Sequence, residues 1–149
     1  MINNDVLRSI RYMLNIPDSK LVEIIVLGGG SITKEALLPF LLREDEEGFV
    51  ECPDELMGYF LDGLIFFCRG KDENKILQPI ETRITNNVVL KKLRVAFELK
   101  DTDLIAIIKK SGLEISKAEL GSFFRRPDHR NYRECGDQFL RNLLKGLTP

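Results

Sequence analysis

The stretch Phe123–Leu147, FFRRPDHRNYRECGDQFLRNLLKGL, repeats a plainer stretch found 83 positions earlier, Phe40–Leu64. Shifting the chain by 83 aligns residues 3–64 with 86–147 without a gap, with 22 identities over 62 positions. Asn3-Asn4 falls on Asn86-Asn87, Arg11 on Arg94, Asp18 on Asp101, Gly29 on Gly112, and Glu51-Cys52-x-Asp54 on Glu134-Cys135-x-Asp137. Chance does not produce such a match, so the chain is a tandem duplication of one structural unit. A unit this small buries too little of its surface to stand comfortably alone. The two copies are therefore expected to pack together through apolar faces of equivalent helices, in a two-fold or superhelical arrangement.

Helical spacing fills both copies. Asn3-Asn4-Asp5 offers capping side chains before Val6, Leu7, Ile10 and Leu14, which share one helical face. Pro17-Asp18 starts a second helix, Asp18–Leu27, and Gly28-Gly29-Gly30 ends it. A third is expected over Thr33–Leu42 with Leu37, Phe40 and Leu41 inward, kinked or cut short at Pro39. A fourth runs from Pro53 to about Phe67, with Leu56, Phe60, Leu64 and Phe67 on one face. The second copy repeats the plan over Asn87–Leu99, Asp101–Ser111, Ser116–Arg125 and Gly136–Leu147, with a capping box at Ser116–Glu119. Strand-like alternation is confined to Phe49–Glu51. The class is all-α, a duplicated unit of about four helices: residues 1–67, a linker at 68–85, and residues 86–149. Ile76, Leu77 and Ile80 suggest that the linker is partly docked. Gly63 and Gly146, at the same place in the two copies, suggest a close approach of another backbone, although a helix terminus explains Gly146 equally well.

The glycine triplet is no phosphate loop, because GxxxxGK[ST] and a preceding strand are both missing. Three cysteines, two of them at equivalent positions, read as reduced structural thiols. With one histidine and no CxxC or HxxxH spacing, neither a metal nor another cofactor is expected. A Cys135–His129 pair is conceivable, but Cys52 holds the same frame with no histidine near it in sequence. The carboxylates Glu51/Asp54 and Glu134/Asp137 sit at helix starts, where negative charge is favourable in itself. Catalysis is not the expectation. No apolar run approaches the ~20 residues that span a bilayer, and the start lacks a secretory pattern. A cytoplasmic protein without a membrane partner follows.

The motifs Asn86-Asn87, Lys91-Lys92-Leu93-Arg94, Asn131-Tyr132-Arg133-Glu134-Cys135-Gly136-Asp137-Gln138 and Leu140-Arg141-Asn142-x-Leu144-Lys145-Gly146-Leu147 resemble the YehS-like bacterial family, a tandem of the domain of unknown function 1456. The resemblance covers essentially the whole chain. It implies a small cytoplasmic bacterial protein with two helical domains, and it implies no activity.

Charge supplies the functional hint. Residues 1–83 carry 9 Lys+Arg against 15 Asp+Glu, and residues 84–149 carry 13 against 8. Positions equal in both copies are most simply scaffold, so a function that arose after duplication should use positions that differ. Leu42, Glu46, Glu47, Gly48, Phe49 and Val50 become Arg125, His129, Arg130, Asn131, Tyr132 and Arg133, and Pro127 stiffens the start of the loop. With Arg126, these residues form the expected partner-binding surface, since Arg side chains hold carboxylate or phosphate bidentately. A binding or regulatory module is the leading reading, with a protein partner or self-association between acidic and basic copies. The alternative is RNA or DNA binding, because Asp101–Ser111, Gly112 and Ser116–Arg125 have helix-turn-helix spacing with cations and aromatics interleaved. Against both stands simple internal pairing of Arg126 or Arg133 with Glu134, Asp137 or the acidic first copy.

Overall fold

The computed structural model describes residues 1–70 and 83–149. These form α1 (Asn3–Leu14), α2 (Asp18–Leu27), α3 (Lys34–Leu41), α4 (Asp54–Arg69), α5 (Asn86–Ala96), α6 (Asp101–Lys110), α7 (Lys117–Ser122) and α8 (Asp137–Leu147). No strand occurs among the described residues. The molecule is all-helical and duplicated, as the repeat requires. None of these helices is long and apolar enough to cross a membrane. The docking expected of Ile76, Leu77 and Ile80 lies outside the described residues.

Helices α1, α4, α5 and α8 form the layer where the copies meet: α4 packs on α5, and α1 on α8. The flanking α2 and α6 pack on α4 and α8 respectively. Leu7, Ile10, Phe60, Leu61 and Leu64 of the first copy join Leu90, Leu93, Leu143 and Leu144 of the second in a single buried core. Two of the cross-copy contacts are reciprocal. The Met1 amine meets Asp137 Oδ1 at 2.6 Å, while the Ile84 N–H donates to Asp54 Oδ2 at 3.2 Å. Since 1 matches 84 and 54 matches 137, exchanging the copies maps one contact onto the other. A superhelical stack would not return the contact, so the relation is an approximate two-fold. The terminal amine, then Asn86, hold the Asp137 carboxyl below the ordinary range.

The shared asparagines do something other than cap. Ile2 and Thr85 occupy the cap positions, Thr85 accepting the Val88 N–H, and of Asn3, Asn4 and Asp5 only Asp5 returns a bond to the helix start, accepting the Ile2 N–H at 3.2 Å. Asn3 Nδ2 instead donates to Asp54 Oδ1 at 2.7 Å, and Asn86 Nδ2 to Asp137 Oδ1 at 2.8 Å. Asn4 is wholly buried, donating to the Phe40 and Val50 carbonyls and accepting the Cys52 N–H. Asn87 makes the same three bonds to Phe123, Arg133 and Cys135. Arg11 and Arg94 likewise pair with Asp18 and Asp101, both at 2.8 Å. These shared identities are scaffold contacts.

Several local expectations change. Pro39 does not shorten its helix, because α3 with Pro39 has 8 residues and α7 with Ser122 has 6. The Ser122 hydroxyl bonds the Glu119 carbonyl, competing with helical continuation. At the start of α7, Ser116 Oγ accepts the Glu119 N–H at 3.1 Å, while the glutamate carboxylate receives the serine hydroxyl rather than the backbone N–H of a true capping box. Phe40 and Leu41 are half-buried, and only Leu37 is fully inside. Phe67 is 41% exposed, because α4 runs on to Arg69 and its last turn leaves the core.

The shared central glycines Gly29 and Gly112 have φ of 100° and 92°, the left-handed region expected where a helix turns off. Gly63 confirms the close approach: a β-carbon there would overlap the Ile24 carbonyl oxygen, and one on Gly28 would overlap that of Tyr59. Here α2 and α4 touch backbone to backbone. Gly146 meets the side chain of Ile107 instead.

Candidate partner-binding site

The basic loop leaves α7 at Phe123 and re-enters helix at Asp137. Three hydrogen bonds close its neck. Asn87 Nδ2 donates to the Phe123 and Arg133 carbonyls at 3.0 and 2.8 Å, and the Arg133 N–H donates to the Ser122 carbonyl at 3.2 Å. Within it, the His129 N–H reaches the Arg126 carbonyl and the Tyr132 N–H the His129 carbonyl, making two successive turns. The loop is thus fixed at its base and folded on itself.

Arg125, Arg126, His129, Arg130, Asn131 and Arg133 are all exposed, and Tyr132 is half-buried. Burial, then Glu134 and Cys135, push the Tyr132 hydroxyl upward, so it stays protonated. Internal pairing is present but weak and with other partners than expected. Arg126 lies 3.6 Å from Asp128, with 86% and 75% of the two side chains exposed, and Arg133 lies 3.9 Å from Glu119. Such exposed pairs contribute about 0–1 kcal/mol and leave the cations available. Arg130 has no ion pair or hydrogen bond from its side chain among the described residues.

Lys91, Arg125, Arg126 and Tyr132 line one cleft of about 180 Å³, walled by Val88 and Phe124. Lys91 was not singled out from the sequence. The signal was there: Asp5 and Arg8 of the first copy become Val88 and Lys91 in the second. In the first copy Arg8 donates to the Leu42 carbonyl and to Asp5 Oδ1, both at 2.6 Å, spanning the equivalent space.

Cys135 and His129 are not brought together. Cys135 is buried with Sγ 3.6 Å from the Gly136 carbonyl, whereas His129 Nδ1 accepts the Asn131 N–H. Burial, then Asp54 or Asp137, pushes the thiols of Cys52 and Cys135 up to about 12. Neither is a nucleophile near neutral pH.

The helix-turn-helix spacing is real, as α6 and α7 pack across the turn with Ile108 and Leu120 buried. Its outer groove nevertheless mixes Lys109 with Glu114 and Glu119. The aromatics are also committed. Phe123 packs edge-on against Phe139 at 5.1 Å, and the Arg94 guanidinium covers the Phe124 ring at 4.5 Å.

The sequence profile of a family described as "Protein of unknown function (DUF1456)" matches residues 3–70 and again 86–149. The chain is 50% identical over 148 residues to "Uncharacterized protein YehS" of Escherichia coli (strain K12), covering 99% of this chain and 95% of that protein. No solved structure matches. On both the profile match and this relative, the chain belongs to the DUF1456 family.

Proposed function

We propose that this protein is a non-catalytic binding module that engages a protein partner through the Arg125–Arg133 loop of its second copy. One observation carries the reading: a loop stapled at its neck by Asn87 presents cations that its own chain scarcely neutralises. Fixing a loop before binding lowers the ordering cost of association. The partner surface would be acidic, and another molecule of this chain could supply it through Glu44–Glu47 of its first copy.

Nucleic-acid binding is the second reading, favoured by the clustered cations. Stacking of unpaired bases needs open aromatic faces, yet Phe123 and Phe124 are used internally, which leaves the half-buried Tyr132 and the His129 ring. That favours the protein partner.

The test is an Arg125→Glu/Arg130→Glu/Arg133→Glu variant, first checked for unchanged helicity and melting. Binding to cell-extract proteins, RNA and DNA is compared with the parent across a salt series. Selective loss of a protein partner supports the leading reading. Loss of salt-sensitive nucleic-acid binding alone supports the second. Unaltered binding by the folded variant removes the loop as the site.

A further inference from the structure

We infer that the cleft lined by Lys91, Arg125, Arg126 and Tyr132 seats a phosphoryl group carried on a side chain of the protein partner; this rests on the loop being the partner surface. The two copies of the unit supply the argument. In the first copy, Arg8 fills the corresponding space, bonded to Leu42 and neutralised by Asp5. In the second, Asp5 has become Val88, so Lys91 keeps the positive charge without its counterion. Leu42 has become Arg125, adding a second cation, and Arg126, which matches Arg43 of the first copy, lines the same cleft as a third. No carboxylate lines the cleft.

His129 does not line the cleft but stands beside one of its cations, Arg125. Its Nδ1 accepts the Asn131 N–H at 3.0 Å, which places the ring proton on Nε2. Nε2 stands 3.4 Å from Arg125 Nη1, itself a donor. Two donors facing each other have no bond between them, and an oxyanion oxygen bridging them would satisfy both. Three cations lining one cleft suit a phosphoryl dianion, with its three acceptor oxygens, better than a carboxylate.

The experiment is a titration of the full ¹⁵N-labelled chain, followed by amide shifts. The probes are inorganic phosphate, a Gly-Gly-phosphoserine-Gly-Gly peptide, and the same peptide with Ser or Glu at its centre. The expected result is saturable shifts at Val88, Lys91, Arg125, Arg126 and Tyr132 with phosphate and the phosphopeptide, and much weaker ones with the other two. Val88→Asp/Lys91→Arg, which restores the first copy's pair at exposed or half-buried positions, should weaken both by about tenfold or more, the scale of one lost charge-assisted bond. The inference is overturned by any of four results: no saturable shift, equal response to the Glu peptide, response to free phosphate but not the phosphopeptide, or undiminished binding by the variant. Tighter binding of a single-stranded oligonucleotide than of the phosphopeptide overturns it in favour of nucleic acid. Partner capture separates the two levels. A partner lost by the triple-Glu variant but kept by Val88→Asp/Lys91→Arg sinks the cleft and leaves the loop standing. A partner kept by both sinks the loop itself.

Discussion

Asn87 Oδ1 accepts the backbone N–H of Cys135 at 2.9 Å, across 48 residues of chain. Its Nδ2 simultaneously holds the carbonyls of Phe123 and Arg133, so a single amide side chain secures both ends of the basic loop. Asn87→Ala would strip partners from three backbone groups and should cost about 2–4 kcal/mol, given ~1–3 for each buried group left unsatisfied and some rescue by water. Asn87→Asp keeps the acceptor but turns a carboxylate oxygen toward two carbonyls. It should be at least as destabilising as Ala, despite its near-identical shape. Denaturant unfolding of both variants checks this; an Asp variant near parental stability would show that the amide's donors are dispensable.

The matched glycines should respond unequally. Gly63→Ala drives a methyl into the Ile24 carbonyl, which no side-chain rotation relieves. Overpacking of this kind costs about 1–3 kcal/mol or more and outweighs the ~1 kcal/mol that Ala gains over Gly in a helix. Gly146→Ala meets the Ile107 side chain rather than backbone, so a shift of α6 or of that side chain can relieve part of the crowding and the loss should be smaller than at Gly63. Paired thermal melts decide it. Equal losses at both sites would contradict the backbone-contact account of α2 and α4.

Thiol reactivity should divide by burial. Cys68 is exposed, whereas Cys52 and Cys135 are buried with thiols pushed up to about 12. Alkylation at pH 8 followed by intact-mass measurement should add one group to the folded protein and three after denaturation. Fast modification of Cys135 in the folded state would reopen a reactive role for it.

The duplication made most of this fold visible in the sequence, because each element appears twice and each identity asks for a shared cause. Asn3-Asn4 shows where that stops. Their type suggests caps, and only the packed structure reveals that their bonds run to residues 40–54. A long-range hydrogen bond leaves no periodicity behind. Gly28 was equally opaque: its role depends on Tyr59 and Gly63 of a helix some thirty residues away. Phe67 fits the period of α4 but lies beyond the core that period serves. The loop residues were legible through their departure from the first copy. Lys91 was not, because Arg8 to Lys91 looks conservative until the loss of Asp5 beside it is taken into account.

The most direct test of the central claim exchanges the loops between the copies. Residues 125–133 are replaced by the sequence of 42–50, LREDEEGFV, leaving Asn87 and the neck contacts to the backbone in place. Because Asn4 already holds that sequence in the same frame, the exchanged protein should fold and melt close to the parent. Affinity for the protein partner isolated with the parent chain, measured by calorimetry at low and moderate salt, should fall by at least ~100-fold. That scale corresponds to about 3 kcal/mol and the loss of several charge-assisted contacts. A folded exchange protein that binds the same partner with parental affinity would contradict the account.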